Sequence, residues 1–474
     1  MKNRKKWYLK CFAIMLVFLI ACKTNDSEKE LVKPALPNII IVFADDLGYG
    51  DISAFGSPTI HTPNLDELAH EGQKWTNFYV AASVCTPSRA ALLTGRYPIR
   101  SGMCSDGRRV LFPDSKGGLP QNEITIAEQC KAMGYVTSAI GKWHLGHRAQ
   151  FLPTNHGFDS YFGIPYSNDM NKVEVEGLTR EERFFSPKSE YFNVPLLRDT
   201  KEIERPVDQT TITKRYNEEA VKFIKENKAH PFFLYLAHSL PHVPLFASKE
   251  FNGSSKRGLY GDVVEEIDYG MGEIMEALKE TGLDQNTLIV FTSDNGPWVS
   301  FKSHSGSAGP LKEGKFTTWE GGVRVPAIFW WPDKIEPALV TDIGSTLDVF
   351  TTVSNIVGAN LPEDRQIDGL DLSPVLLEGK RSPREDMLFY RNTTVYAARK
   401  GAFKLHYITR PVRGEKTIHD TPLLFNVDED PNERYNIAEQ YPNVIEEIHR
   451  IVEDHKGTIV PVKDQLKDRI SIKK

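Results

Sequence analysis

The chain carries no excess of basic charge. Its 58 Lys and Arg stand against 63 Asp and Glu, for a formal net charge of −5. Bulk nucleic-acid binding, which shows as a basic surplus, is excluded on that ground. Long hydrophobic runs are missing too: the apolar stretch 12–21 is too short for a membrane span, which takes about 20 residues. Internal repeats are absent. Cysteine is scarce, at five residues in 474, and once the roles argued below are assigned only Cys104 and Cys130 remain for a disulfide. Composition is otherwise that of a globular protein, with 40% hydrophobic and 26% charged residues. The length exceeds what one hydrophobic core usually serves, so two unequal domains are expected.

The N-terminus holds a targeting pattern. Lys2, Arg4, Lys5, Lys6 and Lys10 precede the apolar run, as the charged region of a signal peptide does. The run ends in Leu19-Ile20-Ala21-Cys22, which resembles a bacterial lipobox and implies lipidation of Cys22 after removal of a signal peptide spanning 1–22. A plain secretory signal with a chance cysteine is the alternative. Residues 23–37 are polar, charged and without periodicity, and read as a tether.

Four apolar runs, 38–44, 135–140, 232–237 and 288–291, are short, continuous and rich in β-branched or aromatic residues, and read as strands buried on both faces, hence a mostly parallel sheet. Helical patterns at 64–71, 125–133, 213–227 and 263–281 alternate with them, which indicates an α/β domain. Beyond about residue 380 the character changes. Strands are expected at 387–390, 395–399 and 403–407, then a polar loop-like stretch, then a helix over 443–455. The domains are therefore placed at 38–380 (catalytic, a large mostly parallel, mixed sheet between helices) and 381–474 (a smaller α+β unit with a short antiparallel sheet). Residues 172–208 are charged and weakly patterned and read as loop.

Each apolar run ends in polar residues of a particular kind: Asp45-Asp46, Gly141-Lys142-Trp143-His144, His238 with Pro241-His242, and Asp294-Asn295. In open α/β sheets the ligand site lies outside the carboxyl ends of the strands. Asp45, Asp46, Asp294 and Asn295 offer hard oxygen ligands, which suit Ca²⁺ or Mg²⁺ better than zinc. Cys85-Thr86-Pro87-Ser88-Arg89 opens a short helix that Gly95 closes, and a helix N-terminus favours an anion.

The run Cys85-Thr86-Pro87-Ser88-Arg89 with Leu93-Thr94-Gly95-Arg96 resembles the signature of type I sulfatases, and further blocks agree with it: 38–50, Gly141-Lys142-Trp143-His144-Leu145-Gly146, 157–159 and 163–169 (the latter pair similar to the arylsulfatase A branch), Pro241-His242, and 315–322. The resemblance spans about 38–375. It implies an alkaline phosphatase-like fold and conversion of Cys85 to 3-oxoalanine (formylglycine) by a formylglycine-generating enzyme. The hydrate would be the nucleophile, beside one Ca²⁺ held by Asp45, Asp46, residue 85, Asp294 and Asn295. It further implies that Arg89 stabilises the hydrate and that Lys142, His242 and Lys315 hold the sulfate. His242 or Lys315 would protonate the leaving alcohol, and His144 would deprotonate the remaining hydroxyl. Ser167 matches a supporting position, and the loop 101–120, with Arg108 and Arg109, is expected to rim the pocket and bind substrate.

The expected activity is removal of sulfate from a sulfated carbohydrate, such as an algal glycan or a glycosaminoglycan, by an exported lipoprotein of the outer membrane, facing the periplasm or the cell surface and attached through its N-terminal lipid. Arg180, Arg183 and Lys188 are candidates for further anion contacts, though such charges are commonly only solvated. Two other readings stay open. A phosphate or phosphonate ester hydrolase of the same superfamily usually places an Asp-His pair where this chain has Asp294-Asn295. An inactive glycan-binding lipoprotein would not need Cys85, Arg89, Lys142, His144, His242 and Lys315 together.

Overall fold

Ten strands build the main sheet: β1 (Asn38–Ala44), β2 (Gln73–Tyr79), β3 (Val136–Gly141), β4 (Ser160–Gly163), β5 (Leu196–Arg198), β6 (Lys201–Glu204), β7 (Phe232–Ala237), β8 (Thr287–Ser293), β9 (Arg324–Trp330) and β10 (Ala338–Ser345). The computed structural model describes residues 36–470, so the signal peptide, Cys22 and the tether fall outside the described residues. Among those described, no helix is long and apolar enough to cross a membrane.

The order across the sheet is β10-β2-β9-β8-β1-β7-β3-β4-β5-β6. The central run β8-β1-β7-β3-β4 is parallel throughout, and β10 is parallel to β2, whereas the remaining pairs are antiparallel. Every residue of β1, β7 and β8 is buried, which is why these runs are apolar without alternation. Alternation survives as a choice of face. Ile40, Val42 and Ala44 share one core with Tyr216, Ala220 and Ile224 of helix Ile212–Glu226 and with Val263, Ile267 and Met271 of helix Leu259–Thr281. Phe43 points the other way, under the Arg89 guanidinium at 5.4 Å.

The second sheet is antiparallel: β11 (Asp386–Arg391), β12 (Thr394–Lys400), β13 (Phe403–Thr409) and β14 (Thr417–Asn426), in that order. Helix Pro442–Gly457 packs against β12 and β13. The chain passes from one sheet to the other between Glu378 and Asp386, and the described residues from Pro37 on form one compact unit. Two expectations need correcting. Residues 417–426, read as polar loop, form a full edge strand, exposed over its first half, Ile418 included, and buried at Leu424 and Phe425. Residues 172–208 are not all loop: they hold helix Arg180–Phe185 and the β5–β6 hairpin that extends the main sheet.

A buried polar cluster joins the two sheets. Lys404 Nζ donates to Glu320 Oε1 at 2.8 Å and lies 3.3 Å from Glu433 Oε1. His406 Nε2 meets Glu433 Oε1 at 2.6 Å, Tyr79 Oη donates to Glu320 Oε2 at 2.6 Å, and Arg399 donates to Tyr79 Oη. Burial alone would raise the Glu320 carboxyl, but Lys404, Arg324 and Arg399 outweigh it and bring it from 4.5 down to about 2. A depressed carboxyl stabilises the fold above its unfolded value; that contribution is lost as pH falls from about 4.5 to about 2. Lys404→Met removes the one ammonium between two buried carboxylates, and urea denaturation should register a loss of about 3–5 kcal/mol. That loss should shrink as pH falls through about 4.5, because Glu320, no longer held down by Lys404, takes up a proton in the folded state and relieves its buried charge. An unchanged urea midpoint would show that the cluster does not hold the sheets together.

Candidate active site

The parallel centre of the sheet brings four strand ends to one edge. Ala44 of β1 is followed by Asp45-Asp46, Gly141 of β3 by Lys142, Ser293 of β8 by Asp294-Asn295, and Ala237 of β7 by the segment reaching His242. Gly141 has φ of 107°, and a Cβ there would lie 1.9 Å from the Ala237 carbonyl oxygen, so only glycine lets β3 end this close to β7. Positive φ recurs at Asp46 (64°) and His144 (57°), positions where side chains are turned into the site at a backbone cost.

Cys85 is the first residue of helix Cys85–Thr94 and is buried. Its Sγ donates to Asp45 Oδ1 at 3.4 Å and accepts from Lys315 Nζ at 3.3 Å. Burial and the Asp45 charge push the thiol above its ordinary value, against the pull of Lys142 and Lys315. The helix N-terminus therefore does not make Cys85 a thiolate. One turn along, Arg89 Nε and Nη2 donate to Asp294 Oδ2 at 3.1 and 2.8 Å, and Nη1 donates to the Lys142 carbonyl at 3.0 Å. Lys142 Nζ donates to Asp45 Oδ2 and, at 3.3 Å, to Ser167 Oγ. Lys315 Nζ donates to Asp46 Oδ1 at 2.6 Å.

The two histidines are held by their outer nitrogens. His144 Nε2 lies 2.9 Å from the Leu111 carbonyl, which can only accept, so the neutral ring carries its lone pair on Nδ1. That atom is buried without a protein partner. His242 Nδ1 lies 3.1 Å from Asn168 Oδ1, whose amide is oriented by donating to Gln209 Oε1 and the Pro244 carbonyl. Nε2 of His242 then faces Asp46 Oδ2 at 3.7 Å. Burial pushes both imidazoles well below the usual range, with Lys142 acting on His144 and Lys315 on His242 in the same direction. Thr86 ties the layers together, donating to the His144 carbonyl at 3.0 Å and accepting from Leu111 N at 3.1 Å.

The donor set fits a hard cation. Ligand atoms of Asp45, Asp46, Cys85 and Asp294 all lie within 4.8 Å of one another, and all four residues are buried. Asp46 Oδ2 and Asn295 Oδ1 are buried oxygens without a hydrogen-bond partner, which is where a cation would find acceptors ready. Burial, with Asp45 and Asp294 adding repulsion against the pull of Lys315, raises the Asp46 carboxyl to about 7. For Asp45, burial is outweighed by Lys142, His242, Arg89 and Lys315, which hold it well below the usual carboxylate range.

The structure brings together Asp45, Asp46, Cys85, Arg89, Lys142, His144, Ser167, His242, Asp294, Asn295 and Lys315. Arg108 is placed differently: it donates to Asp114 and stacks on Phe112 at 4.6 Å. Arg183 donates to the carbonyls of Tyr191 and Val173 and so secures its own segment. His238 is fully buried against Tyr216, away from the cluster's contacts. Cys104 and Cys130 are both free thiols. Sequence reading missed Asn168, the Leu111 carbonyl and Trp298. Trp298, half-buried, has its ring centroid 5.6 Å from that of His242 and 5.1 Å from Lys315 Nζ. A tryptophan directly after Asp294-Asn295-Gly296-Pro297 was the available signal for it.

Comparison with known proteins agrees with this geometry. The sulfatase family model matches residues 37–359, and the model of the C-terminal region of aryl-sulfatase matches 382–474. Arylsulfatase A of Bos taurus is 41% identical over 441 residues, covering 87% of this chain and 85% of the relative. N-acetylgalactosamine-6-sulfatase of Homo sapiens is 39% identical over 477 residues, covering 91% and 88%. The crystal structure of the PsFucS1 sulfatase from Pseudoalteromonas sp. superposes with a TM-score of 0.80 at 31% identity, covering 90% of this chain and 92% of that one.

The cation fit has a readout apart from turnover. Ca²⁺ added to the metal-stripped full chain should raise its melting temperature, because a ligand of the folded state alone stabilises by mass action. Asn295→Leu should weaken Ca²⁺ binding, measured calorimetrically, by about tenfold or more, equivalent to about 1.4 kcal/mol. A melting temperature insensitive to Ca²⁺, Mg²⁺ and Mn²⁺ alike would dismiss the site.

Proposed function

The chain belongs to the type I sulfatases, the formylglycine-dependent family of the alkaline-phosphatase superfamily, and on that premise we propose that it removes sulfate from a sulfated carbohydrate, with formylglycine at position 85 and one Ca²⁺. The observation that carries this reading is the placing of Cys85: a buried helix-opening residue whose Sγ shares one cluster with three carboxylates and touches Lys315. When bound, Ca²⁺ supplies Lewis-acid polarisation of the sulfate and of the oxygen on residue 85, held by Asp45, Asp46, Asp294 and Asn295. The formylglycine hydrate supplies two geminal hydroxyls, one to attack sulfur and one to expel the bound sulfate by elimination.

The remaining chemistry falls to side chains. Arg89, fixed by Asp294 and the Lys142 carbonyl, keeps a positive charge one turn along the helix from residue 85. Lys142 and Lys315 reach the cluster from two sides and hold sulfate oxygens. The free Nδ1 of His144 takes the proton of the second hydroxyl, its tautomer set by Leu111. His242 and Lys315 stand together on the Asp46 side, where one of them protonates the leaving alcohol. A carbohydrate substrate is supported by the sugar sulfate named in N-acetylgalactosamine-6-sulfatase, and by Trp298, whose half-exposed ring beside His242 and Lys315 offers an apolar face to a pyranose. The N-terminal pattern supports export as a lipoprotein, and the family supports a need for a formylglycine-generating enzyme.

The deciding experiment joins two measurements on protein produced with that maturase: the mass of the tryptic peptide containing residue 85, and sulfate release from a panel of sulfated glycans. An aldehyde at residue 85, with release that vanishes in Cys85→Ala, is expected. An unmodified cysteine in active enzyme, or release of phosphate in preference to sulfate, would refute the reading. Trp298→Ala should raise KM for the glycan by about tenfold, or about 1.4 kcal/mol, with a smaller effect on kcat.

A further inference from the structure

Three arginines lie at the rim of the site where the second sheet meets it, and the acids beside them, Asp106 and Glu313, accept from Thr393 and from the Val412 N–H rather than from an arginine. Arg391 ends β11, Arg410 follows β13, and Arg109 comes from the loop after helix Pro98–Ser101. Arg391 Nη1 donates to the Phe316 carbonyl and, at 3.4 Å, to that of Arg410. The Arg109 guanidinium lies 4.7 Å from the centre of the Phe316 ring. Phe316 follows Lys315 directly and donates its N–H to the Ser83 carbonyl at 3.0 Å. Arg109 and Arg391 are thus anchored on the loop whose lysine touches Cys85, and the Arg410 carbonyl accepts from Arg391. A cleft runs between them, lined by Ser83, Val84, Ser105, Arg109, Phe316 and Arg391.

Arginines nearby are paired: Arg96 with Glu123, Arg100 with Asp368, Arg108 with Asp114 and Arg384 with Asp348. Among the described residues, the ion pairs around this rim leave Arg109, Arg391 and Arg410 without a carboxylate. Burial, then the charges of Arg410 and Arg109, bring Arg391 down to about 10, as uncompensated positive charge does. Like charges kept this close cost free energy unless an anion offsets them, and the planar guanidinium suits the oxygens of a sulfate or carboxylate.

We propose that Arg109, Arg391 and Arg410 bind a second anionic group of the substrate, a sulfate or a carboxylate on the sugar beside the one that loses its sulfate, so that the enzyme selects polyanionic glycans. This rests on the carbohydrate reading above and specifies its substrate class. The cluster touches Phe316 and not the buried carboxylates, so it acts on binding and register rather than on the sulfur chemistry.

The test uses the full-length, formylglycine-bearing enzyme and three disaccharides with the same scissile sulfate: one otherwise neutral, one with a second sulfate on the neighbouring sugar, and one with a uronate there. Expected is a kcat/KM about tenfold or more higher on one of the doubly anionic substrates, equivalent to about 1.4 kcal/mol; which of them leads identifies the anion. In the double variant Arg109→Gln/Arg410→Gln that preference should fall about tenfold, mainly through KM, and Arg109→Lys/Arg410→Lys should keep more of it. Both side chains are exposed, so melting temperatures should match the parent. A preference unchanged in the glutamine variant, or no preference in the parent, overturns the second-anion site and leaves the carbohydrate reading standing. Cleavage of a simple aryl sulfate with none of the three disaccharides touched would bring down both.

Discussion

The site depends on keeping opposite charges together away from water. Asp45, Asp46 and Asp294 are buried, as are Arg89, Lys142 and Lys315, and each cation has its carboxylate: Lys142 with Asp45, Lys315 with Asp46, Arg89 with Asp294. Any one of these ions alone in such surroundings would cost several kcal/mol. Their mutual placement makes burial tolerable, and the parallel centre of the sheet makes the placement possible, since β1, β3 and β8 end at one edge. The positive φ angles at Asp46 and His144 are the local cost of aiming side chains inward. Balance within the set is close to a limit. Asp46, raised to about 7, is the carboxylate least well compensated, and a divalent cation would supply what it lacks.

The same confinement decides what residue 85 can do. A cysteine at a helix N-terminus is usually a candidate thiolate, yet here burial and the neighbouring Asp45 keep the proton on sulfur. A pocket built around carboxylates is poor for generating a sulfur anion. It suits a neutral, polyhydroxylated group that a cation can polarise, which is the species the formylglycine-dependent family employs. On the proposed reading the formylglycine hydrate meets the same constraint, since it needs no sulfur anion.

Much of this was legible in the sequence because it lay at strand ends. The four central runs announce themselves by unbroken β-branched and aromatic residues, and the ionisable residues that follow them share an edge once the strands are parallel. What stayed hidden has tertiary causes. Residues 417–426 read as loop because the first half of this edge strand is exposed on both faces and is mostly polar, with Pro422 interrupting the run. The β5–β6 hairpin joins the sheet through strands of three and four residues, too short for a period to show. The Leu111 carbonyl fixes the His144 tautomer from a loop without pattern, and no side-chain motif can mark a backbone oxygen. Asn168 sits in a recognisable block, but its hold on His242 exists only once 163–169 folds beside the segment after β7.

The second sheet and the turn after it grip the loop that carries Lys315. Lys312 Nζ donates to the Glu433 carbonyl, Glu320 N donates to Glu433 Oε2, and Arg391 holds the Phe316 carbonyl. The segment between Lys312 and Glu320 is thus gripped at both ends and in the middle by residues of the second sheet and the turn after it, while Lys315 alone reaches inward to Asp46 and Cys85. This separates two demands on one chain. The carboxylate cluster must stay fixed, because any change there strands a buried charge. The rim arginines can change without touching that balance, since Arg109 and Arg391 meet the loop at Phe316. On the proposed reading the first sheet sets the reaction, and the rim supplied largely by the second sets which anionic sugar is admitted to it.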